Sequence, residues 1–124
     1  MKAHDWTIRR KPYDIRERLL LFACLIVRLV QFLHTRGPVA TQFSHQILKS
    51  GTSAGANYEE ADDASSPRDG VAKKRIALRE LKETLWRLRV AKSSGFLTDA
   101  HEPVLTENDE LVRIVATIIR NSRR

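Results

Sequence analysis

The stretch from Pro67 to Ser94, PRDGVAKKRIALRELKETLWRLRVAKSS, decides the fold. Ser66 stands before it as a cap, Pro67 suits a first helical position because its missing N–H needs no partner there, and Asp69 complements the positive helix start. Val71, Leu78, Leu81, Leu85 and Leu88 recur at helical spacing and mark one stripe for a core. Ile76, Trp86 and Val90 lie on another side, so this helix is expected to be covered on two faces. Gly95 stops it, and Phe96 and Leu97 are expected to fold back onto its neighbours.

Working upstream, Asp62-Asp63-Ala64-Ser65-Ser66 is a turn. A helix is expected before it, from about residue 39 to 62, with an unusually small middle, Ser50-Gly51-Thr52-Ser53-Ala54-Gly55-Ala56-Asn57. Each of its two glycines costs a helix about 1 kcal/mol against alanine, and close approach of a neighbouring backbone would offset that. The alternative is a loop over Ser50–Gly55 that splits the helix. Gly37-Pro38 ends an earlier helix, about 14–36, capped by Asp14. Ile15, Leu19, Phe22, Ile26, Leu29, Val30 and Leu33 form its stripe, yet Leu20, Leu21, Leu25, Val27 and Phe32 cover much of the rest. A helix apolar over most of its circumference needs a subunit contact as well as a core.

Downstream, a fourth helix is expected over about 99–121, with a kink or restart at Pro103 and Leu105, Leu111, Val112, Ile114, Val115, Ile118 and Ile119 on its apolar side. Residues 1–13, with Arg9-Arg10-Lys11, read as a flexible or lightly docked basic arm, and 122–124 as a basic tail. The class is therefore all-α, an antiparallel up-down-up-down four-helix bundle. A 124-residue chain has room for one such domain, and 6% aromatics with five glycines and four prolines argue against a β fold. The run Leu19–Val27 is too short to span a membrane and nothing at Met1–Trp6 resembles a signal-peptide core, so a cytoplasmic protein with no membrane partner is expected.

The net charge of +7 favours an acidic partner, nucleic acid before an anionic membrane. The charge is unevenly placed: residues 67–95 hold nine Lys/Arg against three Asp/Glu, net +6, whereas residues 37–66 hold one against four, net −3. Arg68, Arg75, Lys82 and Arg89 recur every seven residues, with Arg79 beside them and Trp86 within the same strip. Such a track, about 30 Å long at 1.5 Å per residue, could follow a phosphate backbone, with Trp86 as a stacking surface. The plainer reading pairs Arg79 with Glu83 and gives Trp86 to a core or a subunit contact.

No catalysis, metal or cofactor is expected. The Glu-x-x-His pairs of di-metal bundles are missing, and His4, His34, His45 and His101 are dispersed. Glu59-Glu60-Asp62-Asp63 could hold a cation, but a solvated helix end explains it better; Glu80 and Glu83, set among cations, read as salt-bridge partners. There is no P-loop, dinucleotide fingerprint or nucleophile motif. Cys24, the single cysteine, lies in an apolar helical run and is expected to be a buried, inert thiol.

Ser53-Ala54-Gly55-Ala56-Asn57-Tyr58-Glu59-Glu60-Ala61, Ser66, Ile76-Ala77-Leu78-Arg79-Glu80-Leu81-Lys82-Glu83-Thr84-Leu85, Gly95-Phe96-Leu97 and Glu107-Asn108-Asp109-Glu110-Leu111 together resemble the bacterial four-helix-bundle proteins encoded in intervening sequences of 23S rRNA genes. These proteins are often labelled S23 ribosomal proteins, and the family includes the accessory variability determinant of diversity-generating retroelements. The resemblance covers about residues 14–121. It departs after Asn57, where many relatives have Glu-Gly and this chain has Tyr58-Glu59-Glu60-Ala61, which bears on where the second helix ends. The resemblance implies a homopentameric barrel with a basic surface and, in the retroelement branch, binding to nucleic acid and to a reverse transcriptase. Two functions are thus expected to compete. One is a non-catalytic nucleic-acid-binding homo-oligomer, for RNA before DNA. The other is an oligomeric scaffold for a protein partner such as a nucleic-acid enzyme.

Overall fold

In the computed structural model, which describes residues 5–122, the first helix, α1 (Ile15–His34), starts at its expected cap: the Asp14 carboxylate accepts the Arg16 backbone N–H at 2.9 Å. It ends two residues earlier than the sequence suggests, because Thr35 and Arg36 donate to Phe32 and Leu33 in a tight last turn. Gly37 then reverses the chain at φ +101°, and Pro38 itself opens α2 (Pro38–Asp62).

The small stretch Ser50–Asn57 is continuous helix within α2, so the loop alternative is not realised. Its polar side chains are satisfied within the helix: Ser50, Thr52 and Ser53 donate to the carbonyls of Gln46, Leu48 and Lys49 at 2.6–3.0 Å, and Asn57 to that of Ser53 at 2.9 Å. Close approach is required at only one of the two glycines. A Cβ on Gly51 would sit 2.8 Å from Ile26 of α1, whereas one on Gly55 would meet Leu19 at an ordinary 3.5 Å. α2 ends at Asp62 without a glycine.

Ser66 caps α3 (Pro67–Ser93) by accepting the Asp69 backbone N–H. Gly95, at φ +84°, closes the helix in a Schellman motif, with Phe96 N–H on the Ala91 carbonyl and Gly95 N–H on that of Lys92. Leu97 is buried and Phe96 half-buried, as the sequence suggests. The last expected helix divides at Pro103's turn: a 3-10 turn, Asp99–His101, hands over to α4 (Glu102–Asn121). Pro103 sits in the first turn of α4, where its missing N–H breaks no ladder.

The result is an all-α bundle of four helices, with no strand among the described residues. α2 packs on both α1 and α3, α3 packs on α4, and α1 meets α4 more sparsely; α1 and α3 face each other only across the diagonal. Phe22, Leu19, Ile26, Leu29, Leu33, Ile47, Leu81, Leu88, Leu111 and Val115 fill the centre. On α3 the fully buried line is Gly70, Ala77, Leu81, Thr84, Leu88 and Ala91. Val71, Leu78 and Leu85 are only half-buried, at its flank, because α2 approaches α3 closely enough to prefer small residues between them. Thr84 bridges that seam by donating to the Ser50 hydroxyl at 2.7 Å.

Of the two readings of the basic arm, flexible or lightly docked, the structure shows the docked one. Residues 5–11 dock across α1 and α4: Trp6 is buried against Phe32 and His101, and Lys11 reaches Glu110 at 2.7 Å and Glu107 at 3.3 Å. Burial of the indole, the Arg28 cation over its face and the Lys11 ion pairs act together against the entropy of ordering the segment. His4 and the Arg123-Arg124 end of the tail lie outside the described residues.

Candidate nucleic-acid interface

On α3, each residue turns about 100°, so positions seven apart nearly superpose. Arg68, Arg75, Arg79, Lys82, Trp86 and Arg89 therefore share one strip, directly opposite the buried line through Ala77, Leu81, Thr84 and Leu88. All six are exposed, and Trp86 retains 62% of its accessible surface. The second face expected to be covered therefore differs from the structure: Ile76 and Val90 are half-buried, while Trp86 stands in solvent.

Charge pairing leaves the strip largely unneutralised. Glu83 pairs with Arg87 at 3.6 Å rather than with Arg79, whose nearest carboxylate is that of its neighbour Glu80 at a loose 3.9 Å. Lys73 and Lys92, on the helix flanks, are taken up by Glu60 and by Asp99 and Glu102. Among the described residues, Arg68, Arg75, Lys82 and Arg89 form no ion pair. Arg75 and Arg79 are like charges one turn apart, an arrangement that costs an isolated helix a few tenths of a kcal/mol. Near its C-terminal end the strip borders a groove of about 640 Å³ between α3 and α4, with Arg89 and Lys92 on one wall and Arg113, held by Asp109, on the other.

A different charge cluster was not legible as such. Arg18 of α1 makes a two-pronged contact with Glu107 of α4, at 2.8 and 2.9 Å, and reaches Glu110 at 3.2 Å. Glu107 is only 2% exposed. Hydrogen bonding to Glu107 raises the Arg18 pKa, and that to Lys11 lowers the Glu110 pKa. Asn108 beside it donates to the Leu81 carbonyl at 2.9 Å. The available signal was that Glu107 and Asn108 fall on the same side of α4 as Val104, Leu111 and Val115, where polar groups must find partners. These groups staple the sparse α1–α4 seam; they converge on one another and serve as structure.

No group of His, Cys, Asp and Glu that could hold a metal ion occurs among the described residues. The acidic Glu59-Glu60-Asp62-Asp63 segment is drawn apart by its neighbours, Glu60 to Lys73 and Asp62 to Arg16. Cys24 is exposed rather than buried, because α1 turns its outer side, with Leu20, Leu21 and Val27, away from the bundle. Those three side chains keep 56%, 39% and 42% of their surface, and Tyr13 just ahead of α1 is fully exposed. No described helix is long and apolar enough to cross a membrane.

A family model described as 23S rRNA-intervening sequence protein matches residues 12–117. A crystal structure from Bacteroides thetaiotaomicron VPI-5482, of a protein with unknown function from the S23 ribosomal protein family, shares the fold with a TM-score of 0.79. The two sequences are 35% identical over 86% of this chain and 98% of the other. No curated protein matches the chain.

Proposed function

The chain belongs to the 23S rRNA-intervening sequence protein family, and we propose that it is a non-catalytic, cytoplasmic nucleic-acid-binding protein that works as a homo-oligomer and prefers RNA to DNA. The observation that carries this reading is the outer strip of α3: four cations without ion-pair partners among the described residues, a loosely paired fifth, and an exposed indole on one side of a single helix. Phosphates are the groups such a row holds, and a base can stack on Trp86. A helix-long row of charges reads backbone rather than base edges, so weak sequence preference goes with it. The apolar outer side of α1 supports self-association, since exposed apolar surface next to a core is usually covered. A pentamer is the assembly that family resemblance suggests.

The test is binding of a labelled structured RNA across a salt series. With about five phosphate contacts, log affinity is expected to fall against log salt with a slope of about −4. Replacing Arg75, Lys82 and Arg89 together by Glu is expected to abolish binding while circular dichroism still reports a helical bundle. RNA retention by that triple variant equal to the parent's would remove the proposal.

The same exposed side of α1 favours a second reading, an oligomeric scaffold whose partner is a protein such as a nucleic-acid enzyme. Recovery of one such enzyme after complete nuclease treatment, with no direct RNA binding by the purified chain, would select it.

A further inference from the structure

His101 is a buried titratable group that the RNA-binding reading does not use. It is 2% exposed and packs against two rings, with centroids 4.9 Å from Trp6 and 4.5 Å from Phe32. Its Nδ1 accepts the Thr98 backbone N–H at 3.0 Å, while the Thr98 hydroxyl accepts the Ala100 N–H, so the pair closes a capping box for the 3-10 turn. An accepting Nδ1 assigns the proton to Nε2, which is buried without a partner. The ring is therefore held neutral by its own geometry.

A second proton is poorly accommodated: it would place an N–H on Nδ1 facing the Thr98 N–H, donor against donor, with only the Thr98 hydroxyl at 3.4 Å to accept it, and leave the Nε2–H of a buried cation unsatisfied. The surrounding charges offer no relief. In the arm, Asp5 is paired with Arg9 at 3.1 Å; beside the ring, Asp99 and Glu102 are both engaged by Lys92 of α3. On the α1 side, Arg28 lies over the far ring, Trp6, with its centroid 4.6 Å away, and Arg36 repels a positive charge on His101. Burial, more than Arg36, holds the imidazole pKa below its ordinary value of 6.5.

We propose that His101 and Trp6 form an acid-sensitive latch for the arm, in which charging of His101 breaks the Thr98 cap, turns the imidazole out of the aromatic cluster and releases the Trp6 end of the arm from α1. The sign follows from the depressed value: docking is complete above the free imidazole pKa and weakens as pH falls below 6.5 toward the folded-state pKa. Lys11 stays tethered through this window by its ion pair with Glu110, whose pKa the hydrogen bond from Lys11 holds below the ordinary carboxylate value. Release opens the cavity of about 490 Å³ that the arm borders over Leu21, Cys24 and Leu25.

Acrylamide quenching of Trp6 fluorescence in a Trp86→Phe background tests this between about pH 7.5 and about pH 4.5. Quenching is expected to rise severalfold on acidification with unchanged helix content. His101→Gln keeps an acceptor for the Thr98 N–H, glutamine being a natural capping-box residue, but cannot charge. Its quenching is expected to stay low throughout. A flat profile in the parent, a rise that accompanies loss of helix, or an equal rise in His101→Gln would overturn the latch.

Discussion

α1 and α3 stand diagonally across the bundle, and each turns one side away from the core. The outer side of α1 carries Leu20, Leu21, Cys24 and Val27; the outer side of α3 carries Arg68, Arg75, Arg79, Lys82, Trp86 and Arg89. Apolar surface gains by being covered by similar surface, whereas a row of cations is repelled by a copy of itself and attracted by phosphate. On the proposed reading, two sides opposite in position and in chemistry would let one protomer touch its own kind and a polyanion at once, without competition between them.

Both sides depend on the staple that closes α1 onto α4, so the largest effect should come from there. Glu107→Gln takes the two-pronged partner from the Arg18 guanidinium, 13% exposed, and leaves it only the longer contact with Glu110 at 3.2 Å. We expect a loss of about 3 kcal/mol of stability in urea unfolding, with both outer sides failing together. A loss under about 1 kcal/mol would mean that the seam is held by packing and that the sides are independent of it.

Next in size, Leu20→Glu with Val27→Glu should separate the two sides. Dissociation of the oligomer is expected to become easier by at least about 100-fold, or about 2.8 kcal/mol, in sedimentation, with helix content retained. RNA affinity per protomer should persist. If the double variant sediments as the parent does, the apolar side of α1 is not the subunit contact.

The smallest effect sharpens the α3 side alone. Trp86→Ala should cost about 1 kcal/mol of RNA affinity through lost base stacking, leaving stability and assembly unchanged. A change in assembly instead would return Trp86 to the subunit interface.

Helix number, order and most boundaries were legible because caps, glycines and prolines act locally: Asp14, Gly37, Ser66 and Gly95 each do what their chemistry allows. The cationic strip was legible for the same reason, since helical periodicity alone places positions seven apart on one side. What was not legible depended on partners distant in sequence. Whether Gly51 or Gly55 met its neighbour turned on the register of α1 against α2. Cys24 reads as buried until it is known which side of an almost wholly apolar helix faces out. Whether the arm was flexible or docked stayed open in the sequence because its anchors, Phe32, His101, Glu107 and Glu110, lie on other elements. The pairing of Glu83 with Arg87 rather than Arg79 is a local choice between neighbours that spacing does not decide.

The contrast between the two sides is tested most directly by ultraviolet crosslinking of the chain to RNA in cells, followed by mass spectrometry of the crosslinked peptides. We expect crosslinks on residues 68–89 of α3, centred on Trp86, and none on the outer side of α1. Crosslinks that fall on Leu20–Val27, or RNA that is not recovered at all, would contradict the division of labour between the two helices.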